Sequence, residues 1–190
     1  MTVAEPVAPA VLPLAHSWIA NQPVEGRAGR RPAVNPASGR AFAEASLLDA
    51  EQALSAVAAA SAAFPAWSRR SFRERGEVLL RVRDLVLAQA EDIAALIARE
   101  QGKPAAEAHL VEVFPSLEAL AHLAHHAEEL LRDDAVESHS LLLAHKDARL
   151  VYAPLGVVLA VTPWNYPFSI SLTGVAAALI AGNTVVLKPA

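Results

Sequence analysis

The chain has 190 residues, a formal net charge of −4, 54% hydrophobic residues and no cysteine. Such a length can bury a real core in one domain or a little more. The mild acidity and scattered basic residues leave no nucleic-acid footprint, and the lack of cysteine removes disulfides and thiolate metal sites. Residues 1–15 contain prolines and no basic region, and read as a flexible leader rather than a secretory signal. His16–Ala20, Arg30–Val34 and Arg40–Glu44 read as short strands. The intervening Asn35-Pro36-Ala37-Ser38-Gly39 is turn chemistry, which predicts an antiparallel hairpin.

Asp49 followed by Gln52 is a capping box and predicts a helix to about Phe64, where Pro65 follows. Leu54, Val57, Ala58 and Ser61 form its weak apolar stripe. Ser71 with Glu74 is a second capping box. Val78, Leu79, Val82, Leu85 and Val86 keep helical spacing; after a break near Glu91, Ile93, Leu96 and Ile97 continue it until Gly102 and Pro104. A further helical region over 105–132 carries Leu110, Phe114, Leu117, Ala121, Ala124 and Leu131, with Pro115 expected to kink or divide it. His122 and His126 share a face, but no HExxH-type carboxylate pattern accompanies them. Solvated histidines are the better reading than a metal site. Ser138–Leu143 and Ala148–Tyr152 read as two strands around a charged turn, His145-Lys146-Asp147.

No charged side chain lies between Arg149 and Lys188. Two β-branched runs, Gly156–Val161 and Thr184–Leu187, flank the apolar stretch Phe168–Ala181. Apolar runs bounded by Gly and Pro read as fully buried parallel strands. Pro167 at the start and Gly182-Asn183 at the end make the middle stretch a helix. At ~14 residues, or ~21 Å, it falls short of the ~30 Å needed to cross a membrane. The unit is strand–helix–strand, and ligands of open α/β sheets sit beyond the carboxyl ends of the strands. Thr162 to Pro167 and Lys188-Pro189 occupy that place.

Thr162-Pro163-Trp164-Asn165-Tyr166-Pro167-Phe168, followed by Ala181 to Pro189 (AGNTVVLKP), resembles the cofactor end of the NAD(P)-dependent aldehyde dehydrogenase superfamily. Upstream, Trp18-Ile19 before a turn, Asn35 to Gly39, Ala63-Phe64-Pro65-Ala66-Trp67 and Gln101-Gly102-Lys103-Pro104 are also similar to that family. The resemblance implies an α/β fold in which an N-terminal helical and hairpin region leads into a Rossmann-like parallel βαβ unit. Family members are more than twice as long, so it also implies a truncated aldehyde-dehydrogenase-like chain. Its expected divisions are a leader over 1–15, the N-terminal part of a cofactor-binding domain over 16–137, an oligomerisation hairpin over 138–152 and the start of the dinucleotide-binding core over 153–190.

Oxidation of an aldehyde through a covalent thiohemiacetal needs a thiolate, an oxyanion donor, a base and a nicotinamide. By resemblance, Asn165 is the oxyanion donor; read from its neighbours alone, it is a cap for the following helix. By resemblance, Lys188 meets the adenosine ribose hydroxyls of NAD or NADP, and Val161, Thr162, Pro163, Trp164, Asn165 and Pro189 line the same cofactor. The plainer alternatives are a lysine where a strand surfaces and a tryptophan packed in the core. No GxGxxG phosphate loop is present, which the family does not use. The parent enzyme is expected to be a cytoplasmic homodimer or homotetramer acting on an aldehyde, with neither nucleic acid nor membrane as partner. Without a cysteine, these residues are expected to be inactive alone. The alternative is a non-catalytic dinucleotide-binding or scaffolding module.

Overall fold

The computed structural model describes residues 12–137, 142 and 145–190. Strand β1 (Leu14–Ala15), expected within the leader, instead pairs in parallel with β5 (Arg40–Ser46), placing Leu14 opposite Glu44. β2 (Ser17–Ile19) and β3 (Gln22–Val24) form a tight hairpin whose two turn residues, Ala20 and Asn21, both have positive φ. That is the two-residue turn whose twist suits antiparallel strands. β4 (Arg30–Asn35) and β5 form the expected hairpin, with Asn35 paired to Arg40. The Asn35 side chain accepts the Ala37 N–H at 2.9 Å, and Gly39 closes the turn at φ 67°.

Helix α1 (Ala50–Ser68) starts at the predicted capping box, with Gln52 N donating to Asp49 Oδ1 at 2.8 Å. Pro65 does not end it. The proline stands in the last turn, and the helix closes only after Trp67, whose indole N–H donates to Leu179 O at 2.9 Å. The packed face is also not the predicted one. Leu54 and Val57 are exposed, whereas Ala56, Ala59, Ala60 and Phe64 are half-buried. On an alanine-rich helix a small residue lets backbones approach. Here Thr184 Oγ1 reaches Ala60 O at 2.9 Å.

α2 (Phe72–Ala88) and α3 (Ala90–Gln101) are separated at Gln89, close to the predicted break. Leu79, Val86 and Ile97 are buried as expected, while Leu85 and Leu96 face outward. Gly102 adopts φ 76° and ends α3. The region read as one helix over 105–132 is three pieces: α4 (Ala105–Ala108), a π-helical turn over His109–Val113, and α5 (Phe114–Leu130) with Pro115 in its first turn. The buried face differs from the predicted one. Leu110 and Phe114, expected inside, are exposed, and the buried positions are Ala108, Glu112, Val113, Ser116, Leu120 and Ala127. The His122 and His126 rings lie 4.7 Å apart on α5.

β6 (Asp134–Val136) pairs antiparallel with β7 (Ala148–Leu150). The predicted strand over 138–143 lies outside the described residues except for Leu142. β8 (Val157–Val161), α6 (Ser169–Ile180) and β9 (Thr184–Lys188) form the predicted parallel βαβ unit, with Val157 opposite Thr184 and Val161 opposite Lys188. The strands are not fully buried: Leu159, Val161 and Leu187 are exposed toward their carboxyl ends.

α6 is seated by α2 and α5, where Leu79, Leu120, Ala127, Ala176 and Ile180 make one core cluster. A second cluster, Val86, Ala94, Ile97, Ala108 and Val113, lies under the π-turn and continues to Phe168 and Leu172. A Cβ on Gly76 would stand 2.9 Å from Ala124 O, so α2 and α5 approach more closely than any side chain there permits. No helix among the described residues is long and apolar enough to cross a membrane.

Candidate functional site

The parallel register aligns the carboxyl ends of β8 and β9. Val161 stands opposite Lys188, and Thr162 N donates to Lys188 O at 3.2 Å. The chain then leaves both strands at one edge, through Thr162-Pro163-Trp164-Asn165 and through Lys188-Pro189. All seven residues predicted for the site therefore gather at one strand edge. Trp164 is 71% exposed in this chain, and Val161, Pro163, Asn165, Lys188 and Pro189 are exposed as well. Thr162 is half-buried, its hydroxyl bonded to Ser171 Oγ at 2.7 Å.

Asn165 is not the cap of α6. The helix begins at Ser169, the preceding Phe168 has helical backbone angles, and no side chain from the adjoining segment caps it. A carboxylate from another element does so. Glu112 Oε2 accepts from Phe168 N at 2.9 Å and from Ser169 N at 3.3 Å. Its other oxygen takes Lys103 Nζ at 2.6 Å, and the Glu112 side chain is wholly buried. Lys103 donates also to the Asn165 backbone carbonyl at 2.9 Å and sits 4.5 Å from the centre of the Tyr166 ring. Among the described residues, the Asn165 amide itself makes no hydrogen bond.

The far end of α6 is held with equal care. Arg75, 5% exposed, donates from Nε to Ile180 O at 2.8 Å and from Nη1 to Arg70 O. A cation at a helix carboxyl end complements the dipole, while burial pulls the guanidinium below its usual range. Gly182 then turns at φ 93°. Asn183 Oδ1 takes the N–H groups of Leu155 at 2.7 Å and Gly156 at 3.1 Å, which binds the entry of β8 to the exit of α6.

Glu112, Lys103 and Arg75 were not among the site residues read from the sequence. Glu112 had a findable signal: it lies one helical turn after Ala108 and one before Ser116, a lone carboxylate on a buried helical face. Arg75 is the first charge on the inward stripe that continues to Leu79. Lys103 stood only within a short family-like stretch after a helix-ending glycine, with no sign of its partners.

Chemically, the edge offers an exposed ammonium, an exposed indole, an unengaged carboxamide on a braced segment, and no carboxylate between Arg149 and Lys188. The chain is 39% identical over 158 residues to a 3-sulfolactaldehyde dehydrogenase of Pseudomonas putida, covering 82% of this chain and 31% of that one. It is 37% identical over 177 residues to a probable NADP(+) succinate-semialdehyde dehydrogenase of Sinorhizobium fredii, covering 90% and 35%. The crystal structure of an NADP-dependent enzyme of E. coli superposes with a TM-score of 0.85 at 30% identity, over 92% of this chain and 36% of that one. The chain thus spans about a third of the length of these relatives. The model of the aldehyde dehydrogenase family matches residues 24–190, and the chain belongs to that family.

Proposed function

We propose that this segment supplies the cofactor edge and one oxyanion donor of an NAD- or NADP-dependent aldehyde dehydrogenase that oxidises an aldehyde to a carboxylic acid. One observation carries the reading. Asn165 is held by its backbone at the carboxyl edge of the parallel strands, while its amide is exposed and unengaged and the capping of α6 falls to Glu112. An amide N–H offers a hydrogen bond to a developing alkoxide without being an acid that quenches it.

The edge fits a dinucleotide. Lys188 is exposed, forms no ion pair among the described residues, and has three N–H donors for ribose hydroxyls. Trp164 and Val161 give flat apolar surface, Thr162, Pro163 and Pro189 complete the lining, and no nearby carboxylate repels a pyrophosphate. When bound, NAD or NADP accepts the hydride from the aldehyde carbon. The Pseudomonas and Sinorhizobium relatives are both named for aldehyde oxidation, and the second for NADP(+), which supports the same chemistry here. In the same reading, residues 138–152 serve as an oligomerisation arm in a cytoplasmic homodimer or homotetramer.

The test is Asn165→Ala in the enzyme that carries this segment. Loss of one oxyanion donor costs about 10²–10³ in kcat. Because the side chain caps nothing, stability changes by no more than ~0.5 kcal/mol, as for a surface substitution, and dinucleotide affinity stays level. An unchanged kcat refutes the assignment. The second reading is a non-catalytic dinucleotide-binding or scaffolding module. Dinucleotide binding without turnover in the complete protein would select it.

A further inference from the structure

A carboxylate buried beyond reach of water is tolerated only where its oxygens are paired and hydrogen-bonded. Glu112 meets that condition with partners in two different elements. Oε1 takes Lys103 Nζ at 2.6 Å, and Oε2 takes two N–H groups in the first turn of α6. The Lys103 ammonium is also fully engaged, by Glu112, by the Asn165 carbonyl at 2.9 Å and by the face of Tyr166. Its side chain is only 13% exposed. The pair therefore grips the segment at two points that follow the Asn165 side chain: at its own peptide carbonyl, and at Phe168 and Ser169 where the helix starts. The Thr162–Ser171 hydroxyl contact at 2.7 Å ties the other strand-side end to the same helix.

We propose that Lys103 and Glu112 are positioning residues for the Asn165 amide, holding it where an oxyanion forms; this rests on the reading of Asn165 as an oxyanion donor. A donor acts on a transition state only when held close to its productive place, and a displacement near 1 Å costs about 10²-fold in rate. The Glu112–Lys103 bond joins a π-turn and the loop after α3 to the loop that carries the donor. Glu112 lies in the π-turn, buried beside Val113 and Ser116, the last of which donates to Glu112 O at 2.6 Å.

The experiment compares Glu112→Gln, Lys103→Met and Lys103→Arg, each alone and combined with Asn165→Ala, in the complete enzyme with succinate semialdehyde as probe. Glu112→Gln keeps the size and one acceptor for the helix N–H groups but gives up the charge that Lys103 binds. Expected are a fall in kcat of about 10- to 100-fold for Glu112→Gln and for Lys103→Met, with partial recovery for Lys103→Arg and unchanged KM for the dinucleotide. In the Asn165→Ala background the same changes should alter kcat by less than about 2-fold, because the group they position is gone. A purely structural pair would reduce kcat by the same factor in both backgrounds, and that result overturns the inference while leaving the role of Asn165 intact. If Asn165→Ala itself leaves kcat unchanged, the underlying reading fails and the inference with it.

Discussion

Truncating Arg75 tests the claim that α6 is anchored at its carboxyl end by one buried guanidinium. Two of its bonds, Nε to Ile180 O at 2.8 Å and Nη1 to Arg70 O, are charge-assisted, and such bonds contribute about 1.5–3 kcal/mol each. The Nη1 contact to Ser68 O, at 3.4 Å, is too long to add much. The guanidinium also lies 4.6 Å from the Phe72 ring centre, which adds ~0.5–2 kcal/mol. Against these stands the desolvation of a side chain 5% exposed, so the net effect of Arg75→Ala is about 3–4 kcal/mol, the lost charge-assisted bonds less that desolvation. Arg75→Lys keeps the charge but cannot reach both carbonyls, and should lose about half as much. At ~1.4 kcal/mol per decade, amide exchange in peptides covering 169–184 should accelerate roughly 10²- to 10³-fold for alanine. Hydrogen-exchange mass spectrometry on the complete enzyme reads this local opening directly. Unchanged exchange across that helix end would refute the anchoring argument.

Lys188→Ala should weaken dinucleotide binding by about 1–3 kcal/mol, the range of a charged hydrogen bond, and calorimetric titration measures it; equal affinity removes Lys188 from the cofactor. The Asp49 carboxyl is held down chiefly by the Gln52 backbone N–H, then by Arg27, and Glu74 by the Ser71 backbone N–H, then by its hydroxyl. Both folded values lie below the unfolded ones of ~3.9 and ~4.3, so this stabilisation is complete above about pH 4.5 and fades as pH falls through the lowered values. Exchange at the first turns of α1 and α2, corrected for intrinsic rate, should therefore rise only below about pH 4; a rise centred near neutrality contradicts the capping boxes. The 190 residues alone should give no NAD(P)H with a panel of aldehydes, since they contain no cysteine to capture the carbonyl carbon. They should also associate through the open edges of the β8–β9 pair, which light scattering detects. Steady turnover by the isolated chain would overturn the mechanism.

The βαβ unit was legible because its signals agree: apolar runs of strand length, a longer run bounded by Pro167 and Gly182, and no charge until Lys188. The edge residues followed from topology, since a parallel register leaves the carboxyl ends nowhere else to go. α1 was misread because hydrophobic contrast is weak among alanines. The two larger side chains drew the stripe toward Leu54 and Val57, while the contact with β9 depends on small size at Ala60. The π-turn hid the rest. One extra residue in the turn shifts a 3.6-residue period, so Leu110 and Phe114 projected inward on paper and lie outward in the fold. The bracing of the Asn165 segment joins groups 62, 56 and 57 positions apart, a closeness that spacing along the chain does not encode.

The seat of α1 has a consequence for the order of events during synthesis. Its anchors are Leu179 O, 112 positions after Trp67, and the Thr184 hydroxyl, 124 positions after Ala60. At ~5–20 residues per second of translation, the helix emerges roughly 6–25 s before the strand it rests on. Through that interval α1 has capping and propensity to hold it but no tertiary partner at Ala60, and its alanine-rich face stays open. The nascent chain must keep this helix waiting, so β9 is the element whose arrival closes the N-terminal half.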